Sequence, residues 1–576
     1  MAESIENAST QTRFCLSPIV ALAVAIAALP AMLLLINTVP IGSMYWDLYI
    51  YFDAANRIFS GQVPSVDFFT PVGPLGYWLF AGGLKLFPTA QPLLLVEWSL
   101  FVISAPLMAM VVFAVDRDNR MTTYGLLLPY LFFAILPFNV REYYILAGSD
   151  GFGIYNRQGA ILLYILISAL MFVRSQKLLV ALVSLSMVAL FLIKITGFSV
   201  AAMLCVLALL TGRLKLQSSI IAGILFLVVI GTLEIYNGVV SAYLVNIVTL
   251  LQHNIDSISP QLASKFAQNF KALGLVVLLI VLLLYLNIRT ITDQIKRIFS
   301  RPSLNSVARL LDNQAVWLGA VMIAGVLYES QNWGSQDLIY IWPVLLTIIV
   351  DKDQPFSTAR WRFAIPALAI AAIIPIVMIV AERAVRGWAG IIRNQPLVHQ
   401  NLKTIGSVSL RPYMLRRAEI FKTIYPDNRQ AFEAIAAAEV LPSYTIYSQF
   451  KYQIGYLMHI DDAITAIEKL EINQSIRFET MFHISFTNPF PWLMERQAPK
   501  HVAIGADPFR AVPKPDERVI KAISETDIAL FPTCPVVYTN IYLLKLYNEG
   551  LKNHKRITLT PCYDALVHPK LAITDK

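Results

Sequence analysis

The chain has 576 residues, of which 57% are hydrophobic and only 14% are charged, and its mean hydropathy is +0.60. Soluble proteins carry about 25% charged residues, so this composition excludes an ordinary soluble protein and predicts a polytopic membrane protein. The net charge of +9 does not indicate nucleic-acid binding, because much of the basic charge lies in short loops between apolar segments, as the positive-inside rule expects.

The first apolar segment runs from Pro18 to Val39. It lacks the small-residue cleavage site of a signal peptide, so we expect a signal anchor with a cytoplasmic N-terminus. Ten further apolar segments lie at about 93–115, 123–138, 159–173, 178–193, 195–211, 219–236, 272–288, 313–328, 338–350 and 363–381. The run from Leu178 to Leu210 is too long for one upright span, and we expect it to divide at Lys194.

The segment Gly73–Phe87 decides the topology. If it crosses the membrane, Arg117 and Arg120 fall outside and the later basic loops are inverted with them. If it lies in the interface, the basic loops gather on the inside, as the positive-inside rule requires. The second arrangement predicts an α-helical polytopic membrane protein with about 11 transmembrane helices and a C-terminal region on the outer side.

The composition changes after residue 383. We expect a membrane module at 1–383, with its first outer loop at 40–92, and a periplasmic soluble α/β domain at 384–576. Within this domain, a helix is predicted to begin after Asp427 or Asn428, strands are predicted within 501–507 and 525–533, and a helix within 541–554. The sequence has no Walker or GxGxxG motif, which argues against an ATP-driven pump.

Two of the four cysteines, Cys534 and Cys562, lie in the C-terminal region. We expect a disulfide between them if this region is exported, with two free thiols as the alternative. No His and Cys cluster in the sequence indicates a metal site. We therefore expect no cofactor and leave a divalent metal open.

Three carboxylates follow the first apolar segment. Asp53 precedes Arg57 by four residues, so the two can pair on a helix, and Asp67 suits a turn. Asp47 has no cation three or four residues away. A helix cap is the simple interpretation of Asp47, and the alternative is a general base that takes the proton of an incoming hydroxyl.

A pattern begins at Asp47, directly after the first apolar segment. An aromatic-rich helix, Ala54-Ala55, a Gly-x-x-Pro turn, an aromatic pair and Pro-x-Gly-Pro-Leu-x-Tyr-Trp follow it. Over about 45–90 this pattern resembles the GT-C membrane glycosyltransferases, namely the protein O-mannosyltransferase/aminoarabinose transferase-like and polyprenyl-phosphate-mannose-dependent groups. The resemblance implies that Asp47 activates the acceptor. The chain departs from these groups at Val72-Gly73-Pro74-Leu75, which lacks their lysine, and at Asp47-Leu48, where many relatives have an Asp-Glu pair.

Two cations are candidates for binding the phosphate of a lipid-linked donor. Lys194 is embedded between apolar segments, where ionisable groups usually face a cavity or a partner, and Arg157 lies at the start of a predicted span. Both residue types bind phosphate through charge-assisted hydrogen bonds. The alternative for each is a side chain that snorkels to the lipid headgroups.

Polar residues of the predicted outer loops are candidates for substrate binding, because sugar recognition uses hydrogen bonds together with an aromatic face. These candidates are Asp53, Asp150, Tyr155, Asn156, Gln331, Asn332 and Trp333. Pairing with Arg57 is the simpler interpretation of Asp53. A plain polar hairpin is the alternative for the residues at 329–340.

Together, these residues and the resemblance predict an inverting glycosyltransferase. It would move a sugar from a polyprenyl-phosphate donor to a lipid, polysaccharide or protein acceptor at the outer face of a bacterial inner membrane. One alternative is an oligosaccharyl- or phosphoryl-group transferase on the same architecture. The others are a transporter or flippase for an anionic lipid-linked substrate and a non-catalytic polysaccharide-assembly protein.

Overall fold

The structure is a computed structural model that describes residues 16–35, 38–140, 146, 148–254, 270–300, 302–330, 334, 336, 338–351, 359–440 and 449–571. Six of its helices are long and apolar enough to cross a membrane, or up to eight if two bent pairs each form one span. The chain is therefore a multi-pass, mostly helical membrane protein with small sheets in its C-terminal region.

Every apolar segment predicted from the sequence overlaps a helix, but several of these helices are shorter than 18 residues, so the count of eleven spans stays a prediction. The helices in the first 390 residues are α1 (Pro18–Leu35), α2 (Trp46–Phe59), α3 (Leu75–Leu86), α4 (Pro92–Trp98), α5 (Phe101–Asp116), α6 (Arg120–Ile135), α7 (Ile154–Phe172), α8 (Gln176–Ile193), α9 (Ile195–Leu210), α10 (Leu216–Asn237), α11 (Val239–Asn254), α12 (Phe270–Leu286), α13 (Ile288–Ser300), α14 (Leu304–Leu311), α15 (Gln314–Ser330), α16 (Trp342–Val350) and α17 (Ala359–Gly390). The predicted domain boundary at residue 383 falls within α17.

The C-terminal region combines helices with a four-stranded sheet and two strands of a three-stranded sheet, whose other strand is Val39–Pro40. Its helices are α18 (Pro412–Asp427), α19 (Arg429–Ala437), α20 (Phe450–Gln474), α21 (Phe490–Met494), α22 (Glu517–Ser524), α23 (Tyr538–Leu546) and α24 (Asn548–Leu551). The strands among the described residues are β1 (Val39–Pro40), β2 (Gln395–Pro396), β3 (Val408–Leu410), β4 (Met481–His483), β5 (Ile528–Pro532), β6 (Lys555–Thr560) and β7 (Tyr563–Val567). The four-stranded sheet has the order β4-β5-β7-β6, and β5 and β7 are fully buried in it.

The helices and strands predicted for this region are only partly confirmed. The helix after Asn428 and the strand within 525–533 are confirmed as α19 and β5. The strand predicted within 501–507 is wrong, because the backbone there bonds to the first outer loop instead of a sheet: His501 donates to the Asp67 carbonyl (2.5 Å) and Ile504 to that of Phe69 (3.1 Å). The helix predicted within 541–554 is interrupted at Tyr547.

The C-terminal region is joined to the first outer loop along its length. Strand β1 pairs in parallel with β3, and the Tyr45 N–H donates to Gln453 Oε1 at 2.7 Å. Further along, the rings of Trp46 and Tyr456 are in contact, with centroids 4.7 Å apart. These contacts fix α2 between the membrane helices and the C-terminal region.

A disulfide joins Cys534 and Cys562 in the C-terminal region. The side chain of His459 lies beside it, with its Nε2 3.7 Å from the sulfur of Cys562. Within the part of the chain that the structure describes, these three residues are the one group of His, Cys, Asp and Glu side chains close enough to share a metal ion. The disulfide engages two of the three.

Candidate functional site

Helix α2 carries the candidate base at its first turn. Eleven of its fourteen residues are buried, from Trp46 through Arg57, because the helix packs against both the membrane helices and the C-terminal region. Asp47 is an exception and is half-buried. Its carboxylate oxygen Oδ2 accepts a hydrogen bond from the Gly153 N–H at 2.7 Å.

The hydrogen bond from Gly153 places the Asp47 carboxylate at the N-terminus of α7. Gly153 precedes this helix in the left-handed conformation (φ 68°), and the positive end of a helix dipole stabilises an anion. Burial raises the pKa of Asp47 to about 6, while the Gly153 N–H and the charges of Arg157 and Lys194 act in the opposite direction. At pH 7 this carboxyl is mostly ionised, yet it is more basic than an ordinary aspartate, as a general base should be.

Lys194 lies at a break between α8 and α9, as the sequence predicts. Its backbone is extended (φ −161°, ψ 129°), so the helical hydrogen-bond ladder is interrupted there. Two long-range bonds satisfy the freed groups: the Gly73 N–H donates to the Ile193 carbonyl at 2.9 Å, and the Ile195 N–H donates to the Tyr243 hydroxyl at 3.0 Å. The proline-bearing segment of the first outer loop therefore holds the break in place.

The side chain of Lys194 points toward the start of α7. Its Nζ donates to Asn156 Oδ1 at 3.2 Å and lies 5.0 Å from the centre of the Tyr155 ring. Lys194 and Tyr155, like Asp47, are half-buried. Four of the predicted site residues, Asp47, Tyr155, Asn156 and Lys194, thus lie around the first turn of α7.

The close approach of Gly73 to α8 gives a test of this arrangement. A Cβ at Gly73 would lie 2.1 Å from the Leu192 carbonyl oxygen, whereas a Cβ at Gly82 would meet nothing within 4 Å. We expect Gly73→Ala to lower the free energy of unfolding by about 1 to 3 kcal/mol, the usual cost of overpacking. Gly82→Ala, in the exposed part of α3, should be neutral or stabilising. Thermal unfolding of both variants in detergent measures the difference, and equal stabilities would refute the close packing.

Tyr51 and Arg510 are site residues that the sequence analysis missed. Tyr51 lies one helical turn beyond Asp47, and its buried hydroxyl makes no hydrogen bond to any described residue. Arg510 is exposed in the C-terminal region, and its charge acts on both Lys194 and Tyr155. Tyr51 could have been predicted, because a residue four positions after Asp47 lies on the same face of a helix. No local pattern could have predicted Arg510, because Arg510 lies more than 300 residues from Lys194 in the sequence.

Other predicted residues are engaged in buried ion pairs. Asp53 pairs with Arg57 at 3.0 Å, as the spacing predicts, and also accepts a bond from Asn488. Asp150 receives both terminal nitrogens of Arg383, each at 2.9 Å. Both carboxylates are therefore bonded to arginine side chains within the protein. A role of Asp53 or Asp150 in substrate binding stays a prediction.

Arg157 is buried and forms an ion pair with Glu97. A second bond runs from its Nη2 to the Asp150 carbonyl at 3.3 Å. Arg157 adds positive charge near Asp47, and the N–H groups of its Nε and Nη1 are not bonded to any described residue. The remaining candidates, Gln331, Asn332 and Trp333, lie outside the described residues.

Comparison with known proteins returns distant structural similarity. Neither a protein-family model nor a curated protein sequence matches the chain. Among solved structures, the chain is similar to ArnT from Cupriavidus metallidurans in its apo state (13% identity, 97% of this chain and 98% of that chain, TM-score 0.40) and bound to undecaprenyl phosphate (13%, 97% and 99%, TM-score 0.39). It is also similar to the oligosaccharyltransferase AglB from Archaeoglobus fulgidus in complex with an inhibitory peptide and a dolichol-phosphate (14%, 95% and 73%, TM-score 0.32).

The identities of 13% and 14% make the relationship to ArnT and AglB distant. At TM-scores of 0.40 and below, no residue role is transferred to this chain from either of them. The proposal that follows rests on the chain's own residues.

Proposed function

We propose that this chain is a membrane glycosyltransferase that uses a polyprenyl-phosphate sugar as donor and a hydroxyl group as acceptor. The observation that carries the proposal is that a half-buried carboxylate and a half-buried cation lie at the same helix N-terminus. Asp47 is held there by the Gly153 N–H (2.7 Å), and Lys194 by Asn156 (3.2 Å). A base and a phosphate-binding cation in one place are what such a transfer requires.

The proposed reaction is a single displacement. Asp47 accepts the proton of the acceptor hydroxyl while its oxygen forms a bond to the anomeric carbon. The bond from that carbon to the phosphate oxygen breaks, and polyprenyl phosphate leaves with the electron pair. Attack from the opposite face inverts the anomeric configuration, and no acid is needed because the leaving group is already a stable anion.

The cations would stabilise the departing phosphate, where negative charge increases in the transition state. Lys194 is the first candidate, because its side chain is half-buried beside Asp47. Arg157 lies deeper, and its unbonded Nε and Nη1 let it bind a phosphate oxygen without breaking its pair with Glu97. Tyr51, with a hydroxyl that no described residue engages, and Tyr155 would contact the sugar.

The orientation of the protein follows from the same proposal. The site includes the first outer loop and the C-terminal region, so both would lie on the side where lipid-linked sugars are presented. We propose the outer face of a bacterial inner membrane, with the N-terminus in the cytoplasm. The basic loops that gather on the opposite side support this orientation.

Sugar transfer in proteoliposomes tests the proposal. Purified protein would receive radiolabelled polyprenyl-phosphate sugars and a total lipid or glycan extract as acceptor. We expect a covalently labelled acceptor from the wild type and none from Asp47→Asn. Uptake of label into the vesicles without a covalent product, unchanged in Asp47→Asn, would instead identify a transporter.

Arg510 gives a separate prediction for donor binding. Replacing it by alanine should raise the KM for the donor about tenfold with little change in kcat, as expected for one lost charge-assisted hydrogen bond of about 1.5 kcal/mol. Lys514→Ala is the matched control, because Lys514 is an exposed cation of the same region, four residues further along the chain. Equal KM values for the two variants would exclude Arg510 from the donor site.

A further inference from the structure

Two short helices, α13 and α14, lie between apolar helices and are bent sharply away from them. The axes of α12 and α13 meet at 65°, and those of α14 and α15 meet at 69°. We call α13 and α14 together the basic elbow. The two ends of the elbow continue into the apolar helices α12 and α15, each of 17 residues. This is the lower end of the length range of membrane-spanning helices, so the elbow lies where two such helices would meet the membrane surface.

The elbow is strongly amphipathic and none of its residues is buried in the protein. In α13 the apolar residues recur at helical spacing along one face, where a core-facing helix would contact protein. They are Ile288, Ile291, Ile295, Ile298 and Phe299. The side chain of Phe299 is 85% exposed and that of Leu304, at the start of α14, 89%. An exposed apolar stripe of this kind indicates a surface that contacts protein or membrane.

The polar face of the elbow is basic. It carries Arg289, Lys296, Arg297 and Arg309 against the single acid Asp293. None of these four cations forms an ion pair with a residue that the structure describes. A second copy of the chain docked through the same surface would bring like charges together. An anionic partner with an apolar layer beneath its charges is the complementary surface.

We propose that the basic elbow lies flat on the membrane and binds anionic phospholipid headgroups. Its apolar stripe enters the boundary between headgroups and acyl chains, and its lysine and arginine side chains contact the lipid phosphates, as in interfacial amphipathic helices. This surface is separate from the candidate site at Asp47, and the proposal does not depend on the proposed transfer reaction.

Spin labels on the full-length protein in nanodiscs test the proposal. With Cys15 and Cys205 replaced, one label would be placed at Ile295→Cys on the apolar stripe and another at Thr290→Cys on the polar face. Power saturation then compares access of oxygen and of a water-soluble nickel chelate. In discs containing 30% phosphatidylglycerol, we expect the label at 295 to be open to oxygen and at least threefold less accessible to nickel than the label at 290.

Lipid charge and a charge-reversal variant complete the test. In pure phosphatidylcholine discs the shielding at 295 should weaken, and Lys296→Glu with Arg297→Glu should remove the difference between the two lipids. Equal nickel access at 295 and 290 would overturn the membrane contact. Equal shielding in both lipids would overturn the preference for anionic lipid. Shielding at 295 from both reagents, with cross-linking between copies, would show that protein covers the stripe instead.

Discussion

Replacing Asp47 by asparagine should lower the turnover of sugar transfer by about 10² to 10⁴-fold, the usual contribution of a general base. Asparagine keeps the size of the side chain and can still accept the Gly153 N–H through its oxygen, so the fold should not change. It cannot take the acceptor proton. The KM for the donor should change little, because the phosphate-binding cations remain. Initial rates in proteoliposomes at saturating donor measure the effect.

Asp67→Asn is the matched control for this prediction. Asp67 belongs to the same outer loop, but it caps the Val63 N–H at 2.8 Å and faces Lys500 of the C-terminal region. Its variant should keep turnover near that of the wild type. Equal losses in both variants would show that carboxylates of this loop act through structure or charge, and Asp47 would no longer be assigned as the base.

Replacing Asp150 by alanine should lower the free energy of unfolding by about 3 to 5 kcal/mol. Asp150 and Arg383 are buried, and they share two parallel hydrogen bonds. Removing the carboxylate leaves a buried guanidinium without its counter-charge, which is the costly way to break such a pair. Because Asp150 precedes the N-terminus of α7 and Arg383 belongs to α17, the site around Asp47 should loosen as well. Thermal unfolding in detergent, followed by intrinsic fluorescence, measures the loss.

The pair between Asp116 and Arg120 is the matched control, because the Arg120 side chain is 51% exposed. Asp116→Ala should cost no more than about 1 kcal/mol. The double variant Asp150→Leu with Arg383→Met should regain part of the stability that Asp150→Ala loses, since well-packed apolar residues can replace a buried ion pair. An Asp150→Ala variant as stable as Asp116→Ala would contradict the buried pair.

Local patterns in the sequence predicted much of the architecture. Apolar runs located the membrane helices, and the charge of Lys194 located the break between α8 and α9. The i,i+4 spacing predicted the pair of Asp53 and Arg57. Each of these features depends on residues that are close together in the sequence. Hydrophobic periodicity and residue spacing are therefore enough to predict it.

The remaining features depend on contacts between distant segments. The short segment 501–507 is predicted to be a strand, but its backbone bonds to the first outer loop, more than 400 residues earlier. The sequence analysis places Asp150 among the substrate-binding candidates and does not indicate its ion pair with Arg383 of α17. Arg510 reaches the candidate site only through the docking of the C-terminal region. No short-range pattern records such pairings, and the tertiary structure supplies them.

The pH dependence of kcat/KM for the wild type tests the account most directly. The pKa of Asp47 is raised to about 6 by burial, and only the ionised carboxylate can accept the acceptor proton. We therefore predict that kcat/KM falls about tenfold for each unit of pH below 6, since the Asp47 carboxyl must be deprotonated. A profile that stays flat between pH 4.5 and 7 would contradict the assignment of Asp47 as the general base.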